Sequence, residues 1–209
     1  MRTSASVDAP AKVNLFLRIL DKRADGFHEL ETIFQAVSLS DEVRVTLGQV
    51  ANPPAGSELH VDGPDLGPAE ANLAYRAAEA FLTVAGLSEA VRIDLVKRIP
   101  AGAGLGGGSS DAAAVLKCLA VLTGYADADS LRAVAADLGS DVPFFLGASA
   151  LASGRGRGEL LTELPPLPEA SLVLALPDVQ VATGEAYAAL AASRAKGEGA
   201  GLGPGARTQ

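Results

Sequence analysis

A strand-like run, a glycine-rich loop and a helix-like run follow one another between residues 91 and 122, and this order limits what the chain can become. The run Val91-Arg-Ile-Asp-Leu-Val-Lys-Arg-Ile99 alternates apolar and polar residues, the period of a strand. Asp111 to Leu122 is apolar at helical density. Between them stand Pro100, Ala101, Gly102, Ala103, Gly104, Leu105, Gly106, Gly107, Gly108, Ser109 and Ser110. Glycine allows close backbone approach to an anion and positive φ. A helix that begins in such a loop aims unpaired N–H groups at whatever sits there. The Ser109 and Ser110 hydroxyls can donate to phosphate, and Ser110 can ligate Mg²⁺. The segment therefore reads as a phosphate cradle. A flexible linker would lack the periodic flanks. A P-loop needs Gly-Lys-Ser/Thr, and no lysine lies between Pro100 and Asp111. Gly102, Gly104 and Gly107 do spell the dinucleotide pattern G-x-G-x-x-G. That fold requires a strand after the helix, and here a turn-like stretch from Thr123 to Asp129 leads into a second helix, Ser130 to Leu138.

With 209 residues, 48% of them hydrophobic and 20% charged, the chain has material for one large domain or two small ones. A net charge of −8 argues against a nucleic-acid surface. No stretch reaches the ~18 uncharged apolar residues of a membrane span, and Lys12 and Arg18 interrupt the early apolar run that a signal peptide would need. The single cysteine, Cys118, lies in an apolar helical run and reads as a small buried hydrophobe in a reducing, cytoplasmic setting. Nothing in the sequence sets an oligomeric state.

The remaining periodicities order the chain. Lys12 to Leu20 predicts a half-buried strand with Val13, Leu15, Leu17 and Ile19 inward. Arg23 to Phe27 predicts a turn, and Thr32 to Leu39 and Glu42 to Leu47 predict strands joined by a polar turn at Ser40-Asp41. A short strand is expected near Glu58 to Val61, then a helix capped by Asn72 and stopped by Gly86. Ala148 to Ser153, Glu159 to Leu164 and Leu172 to Leu176 predict strands, and Gly184 to Ser193 a helix. Strands first and helices later indicate an α+β fold. A soft boundary is expected at 153/154, so that residues 1–153 form the nucleotide-binding domain and 154–195 begin an incomplete second one. Residues 196–209 read as a disordered Gly/Ala tail.

Three further segments carry chemistry. In Pro10-Ala-Lys-Val-Asn-Leu-Phe-Leu17, Lys12 and Asn14 share one face of a strand, which spacing alone reads as a solvated outer face. In Ala24-Asp-Gly-Phe-His-Glu-Leu30, Phe27 and His28 can stack on and hydrogen-bond to a flat heterocycle, although a turn histidine is often incidental. In Leu138-Gly-Ser-Asp-Val-Pro-Phe-Phe-Leu146, Asp141 occupies a helix break, where it either faces a cleft or caps the next helix.

Taken together, these segments resemble the GHMP kinase family, named for the galactose, homoserine, mevalonate and phosphomevalonate kinases. The family's phosphate loop, P-x-x-x-G-L-G-S/G-S-S/A, is met by Pro100 through Ser110. P-A-K-x-N-L-x-L at Pro10–Leu17, R-x-D-G-[YF]-H at Arg23–His28, L-G-x-D-V-P-F-F at Leu138–Phe145 and G-x-G-E at Gly156–Glu159 point to the branch that acts on a cytidylyl sugar alcohol of the non-mevalonate isoprenoid route. The likeness runs from Ala9 to Tyr187. It implies the GHMP N-terminal fold, akin to the second domain of ribosomal protein S5. It also implies ATP and Mg²⁺ as cofactors, a small-molecule substrate, and transfer of phosphate to that substrate's 2-hydroxyl. By the same resemblance, Lys12 and Asp141 flank the acceptor hydroxyl, and Phe27 and His28 hold cytosine. Asn14, Thr183 and Tyr187 match substrate positions, and Asn72 and Lys97 lie near the ATP base and ribose. The family's late motif, close to S/T-G-S/T-G-A/P, has no counterpart here, so a nucleotide-binding fragment without turnover is one alternative expectation. A GHMP kinase of another small alcohol, such as homoserine or a mevalonate derivative, is the other, against which the Phe27–His28 turn and the Lys12–Asp141 pair argue.

Overall fold

The computed structural model describes residues 3–23, 26, 28–48, 57–176, 186, 189 and 193. Contacts divide the chain into a larger compact unit, Met1–Ala101 with Leu105–Ser171, and a smaller one, Gly102–Gly104 with Leu172–Gln209. The larger unit is α+β. β1 (Ser4–Lys22) and β2 (His28–Leu47) form a long antiparallel ladder. The free edge of β2 is shared by two partners: residues 42–47 pair with β4 (Val91–Val96), and residues 32–35 with β5 (Leu151–Arg155). β3 (Ser57–Asp62) runs parallel to β4, and β6 (Leu160–Glu163) pairs with β5. α1 (Leu73–Ala85) links β3 to β4, and α2 (Gly107–Thr123), α3 (Ala128–Leu138) and α4 (Val142–Leu146) follow β4.

The core joins sheet residues Val43, Val45, Ile93 and Leu95 to Phe81 of α1 and Val115 and Leu119 of α2. Ala112, Ala113 and Ala114 are also buried, and these small side chains let α2 approach its neighbours closely. Cys118 is buried there as a free thiol, and burial pushes its ionisation up to about 11, which leaves it inert. α1 is stopped as its sequence predicts: Asn72 Oδ1 accepts the N–H of Ala74 at 2.9 Å, and Gly86 takes φ +64°. No helix among the described residues is long and apolar enough to cross a membrane.

Four expectations are corrected. Ser40 and Asp41 are not a turn but lie inside the continuous strand β2. The apolar phase does change there. Pro10 pairs with Ser40 and Lys12 with Ala36, so β2 carries two extra residues opposite β1. A bulge absorbs the change without ending the strand. Asp41 is fully buried, and its carboxylate accepts the N–H groups of Arg98 (2.5 Å) and Ile99 (2.8 Å) and the ammonium of Lys97. Second, Leu15 and Leu17 do not face inward; they are 50% and 48% exposed. Asn14 pairs with Phe34 and Phe16 with Ile33, so Leu15 is itself bulged and the inward phase is lost beyond it. Third, α2 begins at Gly107 inside the glycine loop rather than at Asp111. Fourth, Leu172 to Leu176 is not a strand, and Val173 is 90% exposed. Alternation supplies strand propensity, but a strand also needs a neighbour for its backbone groups.

The first unit continues to Ser171, past the expected boundary at 153/154, because β5 straddles that point and is paired on both sides. In the smaller unit, Ala186, Ala189 and Ser193 are helical, within the predicted helix. Residues 49–56 and the 196–209 tail lie outside the described residues.

Removing the Asp41 carboxylate leaves two backbone donors unpaired and takes one of two carboxylate partners from a buried ammonium. Asp41→Ala is therefore expected to lower unfolding stability by about 3–5 kcal/mol, read as an earlier urea midpoint. A midpoint close to wild type would show that the cluster is dispensable to the sheet.

Candidate active site

Lys12 is 7% exposed in spite of its charge, so the solvated-face reading of its strand does not hold. Its ammonium donates to Asn14 Oδ1 at 2.8 Å, lies 3.5 Å from Asp141 Oδ2, and stands 5.5 Å from the centre of the Phe34 ring. The last contact adds cation–π attraction. The shared strand face of Lys12 and Asn14 is thus realised as a hydrogen bond. Asn14 Nδ2 in turn donates to Thr32 Oγ1 at 2.7 Å, and Thr32 Oγ1 donates to the Phe16 carbonyl at 2.8 Å.

Asp141 sits at the start of α4, but its side chain makes no capping hydrogen bond. It points to Lys12 instead, which favours the cleft over the cap. Its side chain keeps 31% of its surface in solvent. Pro143 at the first turn of α4 and the buried Val142, Phe144 and Phe145 fix the backbone that presents it.

The glycine loop is bound to the same strand. The Lys12 N–H donates to the Leu105 carbonyl at 2.8 Å, and Leu105 is the buried anchor of the loop. Gly106 takes φ +73° as the N-cap of α2 and supplies no side-chain cap. A Cβ at Gly106 would stand 3.0 Å from both Lys12 Cγ and the Phe145 ring. A Cβ at Gly107 would meet Ile99 at 3.1 Å and Lys97 Nζ at 3.2 Å. The backbone therefore passes close over both lysines, and a Cβ at either position would make its neighbours give way. Gly108 is exposed, Ser109 is half-buried, and Ser110 is 1% exposed with an Oγ that lacks a hydrogen-bond partner. Gly102 and Gly104 also have positive φ, and Ala101 and Ala103 are exposed. Pro100, half-buried, opens the loop after Ile99.

Lys97 closes a second cluster beneath the helix start. Its ammonium is held by Asp41 and, at 2.8 Å, by Asp111 Oδ2; its side chain is 4% exposed. Burial pushes the Asp111 carboxyl up to about 7, against the downward pull of Lys97 and with a further push from Asp41. Asp111 Oδ1 has no partner.

The structure thus gathers Lys12, Asn14, Asp141 and the Gly106 turn. Asn72 and Lys97 flank the start of α2 less directly: Leu73, beside Asn72, lies 3.8 Å from where a Gly108 Cβ would stand. His28 is half-buried and opens β2 opposite Lys22. Phe27, Thr183 and Tyr187 lie outside the described residues. Sequence reasoning missed Thr32, Phe34, Asp41 and Asp111. Thr32 and Phe34 were hidden in an ordinary alternating strand. Asp41 left one trace, an acid on the buried parity of Val43 and Val45.

Residues 72–148 match the model described as "GHMP kinases N terminal domain". This chain carries a GHMP kinase N-terminal domain. A 4-diphosphocytidyl-2-C-methyl-D-erythritol kinase of Anaeromyxobacter sp. (strain K) is 47% identical over 195 residues, 90% of this chain and 60% of the relative. The crystal structure of a 4-(cytidine 5'-diphospho)-2C-methyl-D-erythritol kinase matches with 49% identity and a TM-score of 0.59, over 77% of this chain and 55% of that one. Homoserine kinase from Cytophaga hutchinsonii shares the fold at 20% identity and a TM-score of 0.56, over 91% of this chain and 65% of the other. The chain spans about three fifths of the length of the curated relative it matches.

The raised Asp111 carboxyl gives the GHMP domain a pH signature. The folded group keeps its proton to about 7, whereas the unfolded group loses it near pH 4. Its stabilising contribution is full below about pH 4 and declines as pH rises to about 7. Asp111→Asn removes that decline. The stability difference between wild type and Asp111→Asn should change between about pH 4 and 7 and be level above, as read by urea unfolding across that range. A difference that stays constant would show that Asp111 is ionised throughout.

Proposed function

We propose that this chain binds ATP at the glycine loop and transfers its γ-phosphoryl group to the 2-hydroxyl of 4-diphosphocytidyl-2-C-methyl-D-erythritol. The observation that carries this reading is the Lys12–Asp141 pair, set against the Gly106 turn by the hydrogen bond from the Lys12 N–H to the Leu105 carbonyl. The names of the relatives supply the acceptor. Phosphoryl transfer needs an orienter or base for the hydroxyl, in-line positioning, and cations to spread charge. Asp141, partly open to solvent, accepts the hydroxyl proton. Lys12, 3.5 Å from that carboxylate, stabilises the developing alkoxide. The N–H groups of the first turn of α2 and its dipole receive the phosphates.

ATP would take the N–H groups of the loop, whose close path a Cβ at Gly106 would crowd against Lys12 Cγ and the Phe145 ring at 3.0 Å. Mg²⁺ fits through the partnerless Ser110 Oγ; when bound, it neutralises phosphate charge. No group of three or more metal-ligating side chains occurs among the described residues, so phosphate oxygens would complete its shell. In this reading Phe27 and His28 take the cytosine, and Asn14, Thr183 and Tyr187 contact the rest of the acceptor. Asn72 and Lys97 stand at the base and ribose end of the nucleotide. Since its ammonium is tied to two carboxylates, Lys97 contributes there through its stem and backbone. The buried Cys118 thiol suits a reducing cytoplasm.

A coupled assay with ATP and the cytidylyl substrate tests the reading. Asp141→Asn should lower kcat by ~10²–10⁴ and leave ATP affinity within about twofold; near-normal turnover removes the base role. Gly106→Val should weaken ATP binding by at least about tenfold in calorimetry while the protein stays folded. Unchanged ATP affinity in that variant would sink the cradle.

A further inference from the structure

The Asn14 side chain lies between two groups with opposite demands. Lys12 Nζ has only protons to give, and it takes Asn14 Oδ1 at 2.8 Å. On the other side, Thr32 Oγ1 has one proton and directs it to the Phe16 carbonyl at 2.8 Å. Only hydroxyl lone pairs then face Asn14, and they accept from Nδ2 at 2.7 Å. A reversed amide would set N–H groups against the ammonium and a carbonyl oxygen against the hydroxyl lone pairs. The network therefore admits one orientation. The hydroxyl is itself fixed. Its acceptor is a backbone carbonyl beside the Leu15 bulge, where the β1–β2 register slips by one residue. Thr32 is 2% exposed, so water does not replace its hydroxyl. Its methyl packs against the Gly154 backbone, where an added Cβ would stand 3.0 Å from Cγ2.

We infer that Thr32 is a positioning residue for the acceptor end of the site: its hydroxyl sets the polarity of the Asn14 amide and, through it, the aim of Lys12 at Asp141. This rests on the reading of Lys12 and Asp141 as the transfer pair. Asn14 acts as an adaptor between a buried donor and a buried acceptor, and the β1 bulge becomes part of the site by supplying the carbonyl at its far end.

The test uses the 209-residue chain, with the Asn14 side-chain amide signals assigned by their loss in Asn14→Ala. Thr32→Val keeps shape and removes the hydroxyl; Thr32→Ser keeps the hydroxyl. By NMR, the Asn14 amide protons should exchange with solvent at least about tenfold faster in Thr32→Val than in wild type or Thr32→Ser. In the coupled assay Thr32→Val should lower kcat about tenfold with KM for ATP within about twofold, and Thr32→Ser should restore kcat. Equal amide exchange in folded Thr32→Val and wild type overturns the relay, and an unchanged kcat overturns the positioning role. If Thr32→Val does not fold, the unmutated chain decides. A Thr32 hydroxyl proton in slow exchange, with a nuclear Overhauser effect to the Asn14 amide protons, supports the relay, and its absence overturns it. A wild-type chain without turnover would contradict the proposed function, whereas the amide-exchange comparison would still decide the polarity relay.

Discussion

Asp41 accepts the N–H groups of two consecutive residues, Arg98 and Ile99, at the point where β4 has ended and the chain turns toward the glycine loop. Its other oxygen takes Lys97, which also holds Asp111 in the first turns of α2. One fully buried carboxylate on β2 thereby joins the central strand, the exit of β4 and the start of the helix. Buried ion clusters repay their desolvation only when every partner is present. Here the return is geometric. The backbone over Gly107 has to pass within van der Waals reach of Lys97 and Ile99, and the cluster holds both at that height. The N–H groups of the helix start are consequently aimed before any ligand arrives.

A second set of contacts brings the chemistry to that start. Lys12 binds the loop twice, through its N–H to Leu105 and through its stem beneath Gly106. Phe145 presses on the same Gly106 from α4, and α4 also presents Asp141. Loop, lysine and carboxylate thus share one packing contact. A side chain at Gly106 would push on Lys12 and on the helix behind Asp141 together, so the glycine bears on the relative placement of the two charged groups.

Much of this was legible in residue order. The Asn72 cap, the Gly86 stop, the glycine loop between strand and helix, and the common face of Lys12 and Asn14 are local features, and local rules describe them. What escaped depends on pairing. The change of apolar phase near Ser40 looks like a strand end, and only register against β1 reveals a bulge. The same holds at Leu15, where alternation predicts burial and a one-residue slip delivers exposure. Leu172 to Leu176 has strand composition without a strand partner. Of the site, the charged pair came from the family resemblance, against what spacing alone suggested for Lys12, whereas Thr32 and Asp41 needed coordinates. Each acts through a partner more than fifteen residues away in the chain: Asn14 for Thr32, Lys97 for Asp41.

The two buried lysines differ in what their charge is free to do. Lys97 is enclosed by two carboxylates, so its field is cancelled or reversed a short distance away, depending on the proton of Asp111. Such a lysine can hold structure but has little left to attract an anion. Lys12 has a neutral amide at 2.8 Å, an aromatic face at 5.5 Å and one carboxylate at the longer distance of 3.5 Å, itself partly in water. Its field is therefore less fully offset by neighbouring carboxylates than that of Lys97. The same side chain, placed twice beneath the same loop, is enclosed by two carboxylates in one case and faces a single, more distant one in the other.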